Sequence, residues 1–258
     1  MVWTDADFWG HLGVRLGVLL AALAFLRHWR QQRARGDDLP TGRVVAFSVG
    51  LGVILLAEES PLHTWSEQYL FSAHMAQHLL LILVAPPLLL YGLPTAWLRW
   101  LADRPVLGTV LRGATRPAVG FLAFHLIFGG SHLPPVYDLV FAHPLLHILS
   151  HLVFVGAALL LWWPVVNPLA DLPGLSPPAQ VLYFFLQLAP TSLVGAFLTY
   201  APAPLYSGYA TASRPWGLSA LVDQQIGGLL MWVGMGFYFF GAMTVVFFRW
   251  FGREEALA

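Results

Sequence analysis

Cysteine is absent from the 258 residues, and so is lysine. Without cysteine there are no disulfides and no thiolate chemistry, so any metal site must be built from His, Met, Asp or Glu. Without lysine, 13 arginines balance 13 acidic residues, and a net charge of zero excludes the basic footprint of a nucleic-acid binder. Charge of either sign is scarce: 10% of residues, against about 25% in a typical soluble domain. That is too few to cover a water-facing exterior. The sequence also lacks a soluble domain, a long linker, a low-complexity tract and a clear internal repeat. It shows no nucleophile–base pair, phosphate loop or hydrolytic carboxylate pair, so it does not read as an enzyme.

What is present is apolar length. Hydrophobic residues make up 58% of the chain, in recurring runs long enough to cross a hydrocarbon core of about 30 Å as helices. The prediction is an all-α polytopic membrane bundle forming a single domain over 1–258. About seven spans fall near 9–29, 41–58, 68–91, 117–133, 144–166, 178–200 and 219–248. The segment 96–113 reads as amphipathic and interfacial. The first run has an acidic start (Met1 to Asp7) and a basic cluster after it, which reads as a retained span. Arginine counting sets the orientation. Arg27, Arg30, Arg33, Arg35, Arg43, Arg99, Arg104, Arg112, Arg116, Arg249 and Arg253 fall on one side and only Arg214 on the other. The N-terminus is therefore expected outside and the C-terminus in the cytoplasm. Pro86 and Pro87 should kink the third span and Pro190 the sixth. Gly13 and Gly17 form a GxxxG pattern that permits close packing.

With that orientation the histidines sort themselves. His11, His63, His74, His78, His132, His143, His147 and His151 fall in the outer half, His125 near the midplane, and only His28 on the cytoplasmic side. Ionisable groups inside spans are costly, and the default reading is functional. His74 and His78 are four apart, and His143, His147 and His151 repeat that interval. Residues at i and i+4 share a helix face about 5–6 Å apart, within chelating reach of one ion. His143 and His151 are separated by a rise of about 12 Å, so one helix cannot bring all three to one ion. A site must combine neighbours from span five with the pair from span three. His125 and Met75 are reserve ligands, and His63, His132 and His143 mark the mouth of a histidine ladder.

Imidazole with optional thioether and no thiolate fits copper best, while two opposed imidazoles also suit a haem iron. Met231, Met235 and Met243 read as core residues more than ligands. Glu58 and Glu59 read as solvated charges at the outer end of span two. Arg15 needs a partner, with Asp223 or a span-two glutamate as candidates. Asp223, Gln224 and His143 are candidates to support the ligand imidazoles from behind. A cap or helix-entry role suits Asp223 and Gln224 equally well.

The run Phe71-Ser72-Ala73-His74-Met75-Ala76-Gln77-His78, continued by LLLILVAPPLLLYGLP, resembles the signature of the CtaG-type cytochrome c oxidase assembly proteins of bacteria. So do HPLLHILSHLVFVGAALLLWWPVVNP, Pro204-Leu205-Tyr206 with Tyr209, and GLSALVDQQIGGLLMW. The resemblance covers nearly the whole chain, in order. It implies a seven-span protein of the bacterial cell membrane, needed for maturation of haem-copper oxidases and suspected of handling copper. His74 and His78 match that family's HxxxH pair, His147 and His151 its fifth-span histidines, and Asp223 its DQ motif. The expected partners are cytochrome c oxidase subunits, the lipid bilayer and an extracytoplasmic copper donor. Haem handling, ion transport and a cofactor-free scaffold stay open beside copper delivery. The near absence of polar side chains from the inner half disfavours transport.

Overall fold

The computed structural model describes residues 5–37 and 39–255, so the first residues of the acidic start lie outside the described residues. Among these the chain is helical, with no strand. Six helices are long and apolar enough to cross a membrane: α1 (Gly10–Ala34 within Asp5–Ala34), α2 (Thr41–Glu59), α4 (Phe71–Gly92), α9 (Pro144–Val166), α10 (Pro177–Thr199) and α11 (Ala220–Glu255). Between α2 and α4 lies a two-turn helix, α3 (Pro61–Gln68). The expected fourth span is broken: α7 (Pro117–Ser131) bends by 80° into α8 (Pro134–Ala142), and the pair counts as a seventh candidate only if taken together. The amphipathic stretch forms α5 (Thr95–Ala102) and α6 (Pro105–Ala114), burying Leu98, Ala102 and Gly108 while Trp100 and Val106 stay exposed.

Proline sets most of these boundaries. Pro61, Pro105, Pro117, Pro134, Pro144 and Pro177 each open a helix, where the missing N–H costs nothing and the fixed φ suits the first turn. Inside α4, Pro86 and Pro87 free the carbonyls of residues 82 and 83 instead. Both are recovered: Trp162 Nε1 donates to the Ile82 carbonyl at 2.9 Å and the Tyr238 hydroxyl to the Leu83 carbonyl at 2.6 Å. A π-helical turn, Leu80–Val84, leads into the proline pair. The helix crosses the prolines because its neighbours satisfy the freed backbone, as a membrane interior requires.

The centre of the bundle is α4, which packs on α2, α3, α9 and α11. Of its most apolar 18-residue window 61% is buried, against 6% for α1, which lies at the edge. Tight contact between α10 and α11 depends on glycine: a Cβ on Gly195 would stand 2.6 Å from the Trp232 Cβ, and one on Gly228 would stand 2.9 Å from the Gly195 carbonyl. The GxxxG glycines behave differently. Nothing lies within 4 Å of a Cβ built on Gly13 or Gly17, so this pattern mediates no close packing within the described chain. Glu59 receives Arg15 at 2.6 Å and His11 at 3.0 Å, which ties α1 to the end of α2.

Candidate metal centre

The start of α4 sets the register of its two histidines. The first N–H groups of a helix have no partner of their own. Here the buried Asp223, from the first turn of α11, supplies one: its Oδ2 accepts from Phe71 N at 2.8 Å and its Oδ1 from Ser72 N at 3.0 Å and Ser72 Oγ at 2.5 Å. Arg214 balances that carboxylate at 3.3 Å and also donates to the carbonyls of Tyr69 and Tyr209. Gln224 accepts from Leu205 N at 2.6 Å and donates to the Leu198 carbonyl. Of the two roles open to Asp223 and Gln224, the contacts are those of helix entry and loop anchoring; neither side chain reaches an imidazole.

From this fixed start, His74 and His78 face the opening turns of α9. One ligand atom each from His74, His147 and His151 lies within 4.8 Å of the other two. His78 completes the group, its ring 4.2 Å from that of His74 and 5.0 Å from that of His151. The spacing argument required neighbours from two helices, and the structure brings together those four residues. His147 Nε2 and His151 Nε2 are 3.1 Å apart, a separation that a bridging proton or a shared ion suits. All four rings are buried. His74 Nδ1 and both nitrogens of His78 have no hydrogen-bond partner, so these nitrogens are open to an ion. A cavity of about 30 Å³ adjoins them, lined among others by His74, His78, His132, Tyr137 and His147.

Two carboxylates complete the site, and the sequence reading did not foresee either. Glu58, expected as a solvated charge, is only 9% exposed, and its Oε1 accepts from His151 Nδ1 at 3.0 Å. With Nδ1–H so engaged, His151 presents a bare Nε2 to the cluster, the arrangement that fixes the tautomer of many metal-binding histidines. Glu67, from α3, places Oε1 at 3.3 Å from His147 Nε2 and 3.8 Å from His74 Nδ1. Signals for them existed: Glu58 is an ionisable residue closing an apolar span, and Glu67 lies four residues from His63.

The other candidates lie apart. His143 is exposed and its Nδ1 donates to the Leu139 carbonyl. The Nε2 of His125 donates to Gln187 Oε1 at 2.5 Å, and its ring packs on Phe121 and Phe124. Met75 is buried beside Gly227 in the apolar core, with Met231 and Met235. His63 forms an outer tier: Gln77 Nε2 donates to its Nδ1 at 3.1 Å, Ser66 Oγ donates to Gln77 Oε1 at 2.6 Å, and its ring meets that of His11 at 4.8 Å. Burial holds the His63 pKa below the ordinary histidine value, against the opposing pull of Glu58. Tyr206 and Tyr209 clamp the surrounding loops, donating to the carbonyls of His132 and Ser66.

Comparisons with known proteins place the chain in a family. The family model described as cytochrome c oxidase caa3 assembly factor matches residues 9–253. Uncharacterized proteins of Mycobacterium bovis and Mycobacterium tuberculosis are each 24% identical over 251 residues, and one of Mycobacterium leprae is 24% identical over 255. These alignments cover 90% of this chain but only 36–37% of each relative, so the chain spans little over a third of their length. No solved structure matches the chain.

Proposed function

The chain belongs to the cytochrome c oxidase caa3 assembly factor family, and from that premise we propose that it binds copper through His74, His147 and His151, with His78 beside them, and supplies it to the oxidase. The copper is cargo. It enters at the histidine end of the bundle, which on our reading of the arginine distribution faces outward from the bacterial cell membrane. Oxidase subunits in the same membrane receive it. The observation that carries this reading is the convergence of buried imidazole nitrogens from α4 and α9 within 4.8 Å, in a protein with few other intramembrane polar groups. The Glu58 carboxylate behind His151 adds the support expected of a ligand. Imidazole donors without thiolate suit copper, zinc and iron, and copper is our reading among them because the family serves oxidase assembly.

Haem handling finds less support. The cavity at the cluster is about 30 Å³, whereas cofactor pockets run to roughly 300–1,000 Å³. A larger crevice of about 520 Å³ is lined by Leu51, Leu89, Leu159, Trp163 and other apolar residues, with no imidazole to serve as an axial ligand.

The test is metal analysis and an absorption spectrum on detergent-purified protein after Cu(I) loading, beside a variant with His74, His78, His147 and His151 all changed to Ala. Copper in the parent should fall at least tenfold in a variant that elutes as a folded monodisperse species. Equal retention in both, or none in the parent, overturns the copper site. A Soret band after haem supplementation moves the assignment to haem.

A further inference from the structure

His132 lies where α7 breaks into α8, and the sequence reading placed it only at the mouth of the ladder. It is 3% exposed. Its Nδ1 lies 2.6 Å from the Phe128 carbonyl, which can only accept, so Nδ1 carries the proton. Nε2 is then a bare lone pair. It is buried without a partner, and the ring lines the same cavity as His78. The Tyr206 hydroxyl donates to the His132 carbonyl at 2.9 Å, which fixes the backbone on which the ring is carried. On the same cavity, His78 likewise has no partner at either nitrogen. Ring contacts of His132 are with Phe128 and Tyr137, whereas His74, His147 and His151 contact one another. The fifth imidazole thus packs on aromatic rings and not on the triad, whereas the His78 ring packs on those of His74 and His151.

We propose that His78 and His132 form a second cation station, taking a soft monovalent ion such as Cu(I) beside the His74–His147–His151 triad. This rests on the copper reading above and extends it from one bound ion to two. Two unpartnered imidazoles lining one water-sized cavity suit Cu(I), which is satisfied by two nitrogen donors. Phe141 and Phe154, which also line the cavity, give it an apolar wall beside the imidazoles. An ion released by the triad then has an acceptor within the same cavity, and transfer needs no exit to solvent.

The experiment is an anaerobic titration of the full chain in detergent with Cu(I) against a chromophoric Cu(I) chelator. The parent should take two equivalents. His132→Asn keeps a side-chain N–H for the Phe128 carbonyl while deleting Nε2, and should lose one equivalent with the other unchanged in affinity. His78→Phe, which forfeits no hydrogen bond, should lose the same equivalent, and loss of the triad's equivalent instead would assign His78 to the triad and overturn this station. A His147→Ala, His151→Ala double variant should lose the other. A parent that takes one equivalent, lost only in the double variant, overturns this station and leaves the copper reading intact. Two equivalents retained by His132→Asn also overturn it, and a parent that takes none overturns both.

Discussion

The two ends of this bundle are built on opposite principles. At the histidine end, helix ends crowd together: the close of α2, all of α3, the start of α4, the α7–α8 break, the start of α9 and the start of α11. Buried polar side chains there are paired around the cluster, Glu58 with His151, Ser66 with Gln77 and Asp223 with the first turn of α4, while His74 Nδ1, both nitrogens of His78 and His132 Nε2 are left open. Toward the arginine end α1, α2, α4, α5, α6 and α9 enclose a crevice of about 520 Å³ lined mainly by leucine, tryptophan and glycine, with no titratable group. Burying a polar group without a partner costs about 1–3 kcal/mol, while apolar surface facing lipid costs little. Precision is therefore concentrated at one end, and slack is tolerated at the other.

The largest break in that contrast should come from Asp223→Ala, which strands two helix N–H groups and the Arg214 guanidinium. Removing one partner of a buried pair costs about 3–5 kcal/mol. Thermal unfolding in detergent should show a large loss of stability, and copper retention should fall with it because His74 and His78 lose their register. A variant as stable as the parent would show that this end is less tightly specified than its contacts imply.

Glu58→Gln should leave the fold intact and weaken copper binding about 10–100-fold, the usual effect of losing a carboxylate behind a ligand histidine. A competition titration reads this directly, and unchanged affinity would remove Glu58 from the site. A smaller effect concerns acid. Because the His63 pKa is lowered in the fold, the unfolded chain takes up that proton first as pH falls through about 6.5. Its contribution to stability is full above that pH and lost below it. The melting midpoint should decline from pH 7 toward pH 5, and His63→Gln should flatten part of the decline. An identical slope in the variant would assign the acid sensitivity elsewhere.

The smallest effect belongs to the apolar end. Gly156 lines the crevice with nothing within 4 Å of an added Cβ, so Gly156→Ala should change stability by no more than about 1 kcal/mol, in the favourable direction. Copper binding should be untouched. A loss of copper in this variant would mean that the two ends are coupled.

Long apolar runs made the spans legible, and i,i+4 spacing made the four central histidines legible, because both are local properties of a helix. What the sequence concealed depends on which way a helix end points. Glu58 and Glu59 are adjacent and chemically alike, yet about 100° apart around α2, so one turns to His151 and the other to Arg15 and His11. Pattern alone did not choose between supporting an imidazole and capping a helix for Asp223, because its partners lie more than 150 residues away. The break at His132 was hidden for a related reason: Leu133-Pro134-Pro135 ends one helix and opens another, but the 80° angle between them comes from packing.

The Asp223 cap also has a consequence in time. Ribosomes add about 5–20 residues per second, and 72 residues separate His151 from Asp223 (223 − 151). All four clustered histidines are therefore made roughly 4–14 s before the residue that holds the start of α4. For that interval His74 and His78 ride on a helix whose entry is unsecured. The centre reaches its final form only when α11 inserts, so a metal ion that arrives early meets an unfinished cluster.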